Sequence, residues 1–190
     1  MTDGTVIGRP DRQVAVSFVL LAMVVASLVA APGPDGLLGA FLAALMLAIA
    51  LIDGRRYIIP NELTGAAALL ALLRAGAVGP EADLQALAWT AGKGAATAVP
   101  FLALMIGYRR WRGRDGLGLG DIKLAAVAGM WLNFVTIFAV IELATLSALG
   151  AYFVSGYRGK RPPKATAFLP FGLFLAPAIW IGWLVEAMFG

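Results

Sequence analysis

Asp121 stands in the stretch Gly116-Leu117-Gly118-Leu119-Gly120-Asp121-Ile122-Lys123-Leu124, directly after alternating glycines and directly before a long apolar segment. Ionisable residues at such places are rare and usually face a partner, a cavity or a reaction site, so the acid is a functional candidate by default. The chain has no cysteine and no histidine, which excludes disulfides, thiol catalysis, zinc–thiolate sites and imidazole acid–base chemistry. Proton chemistry therefore falls to Asp, Glu, Lys or Tyr, and the question is which second acid meets Asp121.

The eleven acids sort by position. Asp3, Asp11, Asp35, Glu81, Asp83 and Asp115 fall in termini or loops and read as solvated. Glu62 opens a helix, where the dipole favours negative charge. Asp53 ends one apolar run, Asp121 begins another, and Glu142 and Glu186 lie within later ones. Two carboxylates brought close cannot both ionise cheaply, so a pair shares one proton. The ionised member can deprotonate an attacking water while the protonated member hydrogen-bonds the scissile carbonyl oxygen. Such chemistry needs no metal and no cofactor, and no clustered D-x-x-D-G type metal motif is present. Gly118 and Gly120, lacking Cβ atoms, permit unusual backbone angles and close approach of another chain to the acid; the same glycines also suit an ordinary loop-to-helix junction.

The elements that position these acids are membrane helices. Hydrophobic residues make up 61% of the 190, charged residues 14%, and the mean hydropathy is +0.85, values wrong for a soluble globule. Apolar runs long enough to span predict seven helices: Val14–Ala31, Leu37–Ile52, Leu63–Gly79, Leu84–Tyr108, Asp121–Leu132, Phe134–Val154 and Phe168–Phe189. The first run, preceded by Arg9 and Arg12, is longer than a signal-peptide core and reads as a spanning helix. Ala31-Pro32-Gly33-Pro34-Asp35-Gly36 is a tight turn, and Asn133 is the break between the fifth and sixth runs. Twelve of the fifteen basic residues (Arg9, Arg12, Arg55, Arg56, Arg109, Arg110, Arg112, Arg114, Arg158, Lys160, Arg161 and Lys164) then fall on one side. The alternate loops at Pro32–Gly36, Pro80–Asp83 and Asn133 carry none. The positive-inside rule predicts an all-α polytopic protein with its N-terminus cytoplasmic and its C-terminus outside, and places Asp53 and Asp121 at the cytoplasmic boundary. The charge of +4 reads as membrane topology and contact with the lipid bilayer, not nucleic-acid binding.

Three segments in order carry a family resemblance. Gly118-Leu119-Gly120-Asp121-Ile122-Lys123-Leu124 resembles the G-x-G-D-x-K-L signature of type IV prepilin peptidases, intramembrane aspartyl proteases that trim pilins and type II secretion pseudopilins. Leu51-Ile52-Asp53-Gly54-Arg55-Arg56-Tyr57-Ile58-Ile59-Pro60-Asn61-Glu62-Leu63-Thr64 resembles the family's first aspartate segment, and Leu169-Pro170-Phe171-Gly172-Leu173-Phe174-Leu175-Ala176 its P-F-G-P-F-L-A segment. The resemblance implies Asp53 and Asp121 as the catalytic pair of an endopeptidase in the bacterial inner membrane. The implied reaction removes a short basic leader after a glycine, at the cytoplasmic face, from a prepilin or pseudopilin. It also divides residues 1–190, a single peptidase domain, into a tail, extra helix and turn (1–36) and a six-helix catalytic core (37–190). Longer family members carry a cysteine-bearing segment after the first helix and methylate the new N-terminus. Here only Pro32–Gly36 joins the first two helices, so the chain resembles the short peptidase-only type, including those serving tight-adherence pili. Leu173 stands where the family often has proline, a departure given no functional consequence at this level.

Other roles follow from position. Pro60 and Asn61 stop a loop and start the third helix, a structural role preferred to substrate contact. Pro170, Phe171 and Gly172 shape the start of the last helix near the active site. Lys123, two residues from Asp121 and so on another face, either snorkels to headgroups or supports local negative charge. Arg74 and Lys93 read as snorkelling or paired, with Glu142 as a possible mate. Three other readings compete. A presenilin-like enzyme would show Tyr-Asp where Ile52-Asp53 stands, and Pro-Ala-Leu where Pro170-Phe171-Gly172 stands. A transporter or proton-coupled channel would use Asp53, Asp121 and Glu142 as a relay, without the inverted repeats expected of many such folds. A lipid-modifying enzyme would need the metal motif that is missing.

Overall fold

In lipid every backbone N–H and C=O must be satisfied within the segment or against protein, so apolar runs of this length fold as helices. A computed structural model describes residues 10–78, 83–113, 118–158 and 170–190. Seven helices and no strand occur among them: α1 Pro10–Ala30, α2 Pro34–Arg56, α3 Asn61–Ala77, α4 Leu84–Arg112, α5 Leu119–Trp131, α6 Phe134–Arg158 and α7 Gly172–Phe189. Asp3, Arg9, Glu81, Arg114, Asp115, Gly116, Leu117, Lys160, Arg161, Lys164, Phe168 and Leu169 lie outside the described residues. The protein is an all-α polytopic membrane protein.

Five helices, α1, α2, α4, α6 and α7, are long and apolar enough to cross a membrane. The 13 residues of α5 reach about 20 Å at 1.5 Å per residue, against a hydrocarbon core of about 30 Å. It lies inside the bundle, packed against α3, α4 and α7, with seven of its residues buried. Helix α2 packs against α1, α3 and α7. The core is thus built by α2, α5 and α7, with α3 bridging α2 to α5.

Aromatic and small residues decide these crossings. Trp131 of α5 and Trp183 of α7 are buried edge-to-face, with centroids 6.4 Å apart and planes at 88°. The Trp131 indole N–H donates to the Ala67 carbonyl of α3 at 2.9 Å, satisfying its one donor. Gly39 of α2 faces Trp183 so closely that a Cβ there would overlap the ring. Small residues let helix backbones approach where burial against lipid supplies no driving force.

Local chemistry moves several helix ends from their sequence-predicted places. Helix α2 does not stop at Ile52: it runs one turn past Asp53, its last turn holding Arg55 and Arg56 where the dipole favours cations. It ends at Tyr57 in the left-handed region, φ 56° and ψ 34°. Pro60, extended at φ −65° and ψ 134°, is the N-cap of α3, which starts at Asn61 instead of Leu63. Helix α4 is capped by Asp83, whose carboxylate accepts the Ala86 N–H at 2.7 Å, and runs on to Arg112 before Gly113 turns left-handed at φ 64°. Asp83 is therefore a helix cap as well as a loop acid. Helix α7 begins at Gly172, four residues later than expected.

The charged residues of the other end are structural. Asp35 is not simply solvated: it accepts Arg74 Nε and, at 3.2 Å, Nη2, tying the start of α2 to the end of α3. The Arg74 guanidinium lies 5.7 Å from the Trp131 ring centroid. Asn133 does break α5 from α6, and the freed backbone groups find partners: Lys93 Nζ donates to Leu132 O at 3.1 Å, and Asn133 N–H donates to Glu186 at 2.7 Å. Glu142 pairs with neither Arg74 nor Lys93 in this arrangement and lies exposed on α6.

Candidate active site

Three helix ends converge at the opposite end of α5: the last turn of α2 and the first turns of α5 and α7. Asp53, 4% exposed, is the one buried acid among the described residues. It sits against the N-terminus of α7, where backbone N–H groups have no partner within the helix. The Leu173 N–H donates to Asp53 Oδ2 at 3.0 Å, and the Gly172 N–H also hydrogen-bonds its carboxylate. Proline at position 173 would lack that N–H. Sequence reasoning passed over Leu173 because every residue except proline carries the donor, so residue type alone gives no signal.

Asp121 is half-buried at the third position of α5, and its carboxylate accepts the N–H of the N-cap Gly118, the N3-to-N-cap half of a capping box, while its own N–H donates to the Gly118 carbonyl at 3.1 Å. Asp53 and Asp121 are close enough for the charge of one to act on the other. Each carboxylate thus rests on the positive end of a helix.

The clearance role of the glycines is specific. Gly120 meets Ile59: a Cβ at 120 would lie 3.0 Å from Ile59 Cβ. Gly172 meets both Ile59 and the acid, because its Cβ would lie 2.8 Å from Ile59 Cδ1 and 2.9 Å from Asp53 Oδ2. A Cβ on Gly118 would stand 3.1 Å from Asp121 Oδ2. Neither Gly118 nor Gly120 uses a positive φ, so close approach and not unusual backbone angle is what these positions require. Ile59, unremarked in the sequence, is the wedge between the starts of α5 and α7. Its place in the short α2–α3 connection becomes meaningful only once the two glycines are seen against it.

The remaining residues fall around this centre. Lys123 is exposed and its Nζ donates to Asn61 Oδ1 at 2.7 Å, which ties α5 to the start of α3. Pro60 O accepts both the Thr64 N–H and the Thr64 hydroxyl at 3.2 Å, closing the first turn of α3. Phe171 is the N-cap of α7 and packs on the core, with Pro170 just before it. Between α3 and α5 a cleft of about 360 Å³ begins at Asn61 and Lys123 and continues past Gly65 and Ala68 to Met130. Glu142, Glu186, Lys93 and Arg74 are not brought to the two aspartates.

The family model described as type IV leader peptidase family matches residues 40–154, which include both aspartates. The chain belongs to the type IV leader peptidase family. Leader peptidase HopD of Escherichia coli is 34% identical over 143 residues, which cover 74% of this chain and 88% of that protein. A prepilin leader peptidase/N-methyltransferase of Burkholderia pseudomallei is 35% identical over 151 residues, 76% of this chain and 45% of that protein. One from Aeromonas salmonicida is 30% identical over 165 residues, 86% and 54% respectively. The chain thus spans about half the length of these two-activity relatives. No solved structure matches it significantly.

Proposed function

We propose that this leader peptidase family member is an aspartyl endopeptidase that removes the basic leader from type IV prepilins or pseudopilins at the cytoplasmic face of the bacterial inner membrane. The observation that carries the reading is the meeting of Asp53 and Asp121 at three converging helix ends, each carboxylate held by backbone N–H groups. Two acids so placed share one proton. The ionised one takes a proton from water as the water oxygen bonds to the scissile carbonyl carbon. The protonated one hydrogen-bonds the carbonyl oxygen as it becomes an oxyanion. Collapse of the tetrahedral species breaks the C–N bond, and the leaving amine receives a proton from the pair. The cleft between α3 and α5 opens from this end of the bundle and suits the substrate's apolar helix, since Gly65, Ala68 and Ala126 line it. The clustering of the basic residues in alternate loops of the sequence favours a cytoplasmic site by the positive-inside rule.

Peptidase activity without methylation is the form proposed. Helix α1 ends at Ala30 and α2 begins at Pro34, leaving no room between them for a cysteine-bearing segment. The competing relay of Asp53, Asp121 and Glu142 loses support, because Glu142 is exposed on α6 and stands apart from the pair. The test is cleavage of a cognate prepilin by Asp53→Asn and Asp121→Asn variants in membranes. Each is expected to insert normally and to leave the prepilin uncut. Normal cleavage by either would remove that residue from the chemistry.

A further inference from the structure

Tyr57 occupies a conformation that its side chain opposes. It is the non-glycine residue with positive φ among those described, at φ 56° and ψ 34°. That left-handed position after a helix is ordinarily filled by glycine or asparagine, because a Cβ crowds the following carbonyl. The fold gains only a backbone bond there, from the Tyr57 N–H to the Asp53 carbonyl at 2.9 Å, and any residue but proline supplies it. The ring is 58% exposed and its hydroxyl has no hydrogen-bond partner among the described residues. A strained residue whose side chain is largely exposed and makes no hydrogen bond points to use outside the fold, and such residues cluster at functional sites.

Its neighbours define what it would meet. Ile58 is 60% exposed and Leu119 58% exposed. Each is the chain neighbour of one of the packed pair Ile59 and Gly120, so the two flank the place where the α2–α3 connection touches α5. Tyr57, Ile58 and Leu119, each within five residues of Asp53 or Asp121 along the chain, are the exposed apolar side chains available for a rim at the site. Exposed Arg55 and Arg56 precede Tyr57 directly and disfavour a basic segment there.

We infer that Tyr57 is a specificity residue whose ring, with Ile58 and Leu119, contacts the apolar side of the scissile bond in the substrate. The inference rests on the proposed leader cleavage and adds the part of the substrate recognised at this rim.

The test uses the full-length protein in lipid nanodiscs and a peptide of basic leader, glycine and apolar segment. Tyr57→Gly and Tyr57→Asn relieve the left-handed strain and remove the ring. Both are expected to melt at the wild-type temperature or above it, while KM rises about tenfold, the scale of a lost apolar contact, and kcat stays within about twofold. Tyr57→Phe, which restores the ring, is expected to restore KM. Wild-type KM in both ring-less variants overturns the inference and leaves Tyr57 an interfacial anchor. A fall in kcat at constant KM also overturns it, making Tyr57 a support for the Asp53 turn; so does a lowered melting temperature. An inactive Asp53→Asn control beside any of these results keeps the failure separate from that of leader cleavage itself.

Discussion

Gly172→Ala tests whether the α7 N-terminus holds the Asp53 carboxylate in working geometry. The added Cβ would stand 2.9 Å from Asp53 Oδ2, 3.1 Å from its Cγ and 2.8 Å from Ile59 Cδ1. Comfortable contact begins near 3.4 Å, so about half an ångström must be found. Ile59 Cδ1 is the free end of a side chain and can rotate away. The carboxylate cannot move freely, because its Oδ2 is held by the Leu173 N–H at 3.0 Å. A hydrogen bond to a charged group contributes about 1.5–3 kcal/mol. Losing it in the reacting state corresponds to about a 10- to 100-fold fall in kcat/KM. Folding is expected to survive, since the overpacking cost of about 1–3 kcal/mol falls on the first residue of one helix. The assay is prepilin cleavage in nanodiscs beside a thermal melt, with Gly150→Ala, where a Cβ meets nothing within 4 Å, as the neutral control. Ile59→Val added to Gly172→Ala removes the aliphatic clash and leaves the carboxylate clash. Recovery of activity in the double variant, or full activity in Gly172→Ala alone, would refute the reasoning.

Lys123→Met and Asn61→Ala are each expected to lower cleavage a few-fold, and the double variant no further, because both remove one exposed bond between α5 and α3; additive losses in the double-mutant cycle would argue against it. Glu186→Ala removes the exposed acceptor of the Asn133 N–H at the far end of α5 and is expected to lower the melting temperature by the equivalent of about 1 kcal/mol or less with kcat unchanged. Arg74→Gln is expected to act likewise, weakly, since the Arg74–Asp35 pair is about a third exposed and such pairs are worth about 1 kcal/mol or less; the same melt and cleavage assays read both. A pair sharing one proton gives a bell-shaped pH profile of kcat/KM, falling at low pH as the base is protonated and at high pH as the acid loses its proton. Asp53→Asn and Asp121→Asn leave no pair, so any residual cleavage should lose that shape.

What could be read without coordinates was set by strong, local physics. Long apolar runs must be helices in lipid, so the all-α class was legible and five of the seven helix starts lay within three residues of their observed places. The Asn133 break and the two acids at the ends of apolar runs were legible because a polar residue at such a site stands out against its surroundings. Helix ends were less legible. Asp53 was read as the end of α2, yet the helix continues to Arg56 because Tyr57 accepts a left-handed cap that its residue type disfavours. Asp35 was read as solvated, and only the packing of α2 on α3 brings Arg74 to it, 39 residues away in sequence.

The sequence by itself determined a membrane helix bundle, the elimination of thiol and imidazole chemistry, and two carboxylates as candidate reactants. It could do so because hydropathy and residue type are properties of single positions and short windows. Tertiary structure decided that Asp53 lies on the α7 N-terminus, that Ile59 wedges between Gly120 and Gly172, and that Lys123 reaches Asn61. Those relations join residues 61 to 120 positions apart, and they depend on where backbone N–H groups point and how closely helices cross. A backbone N–H such as that of Leu173 is common to nearly every residue, so its role is fixed only when the fold aims it at an acid.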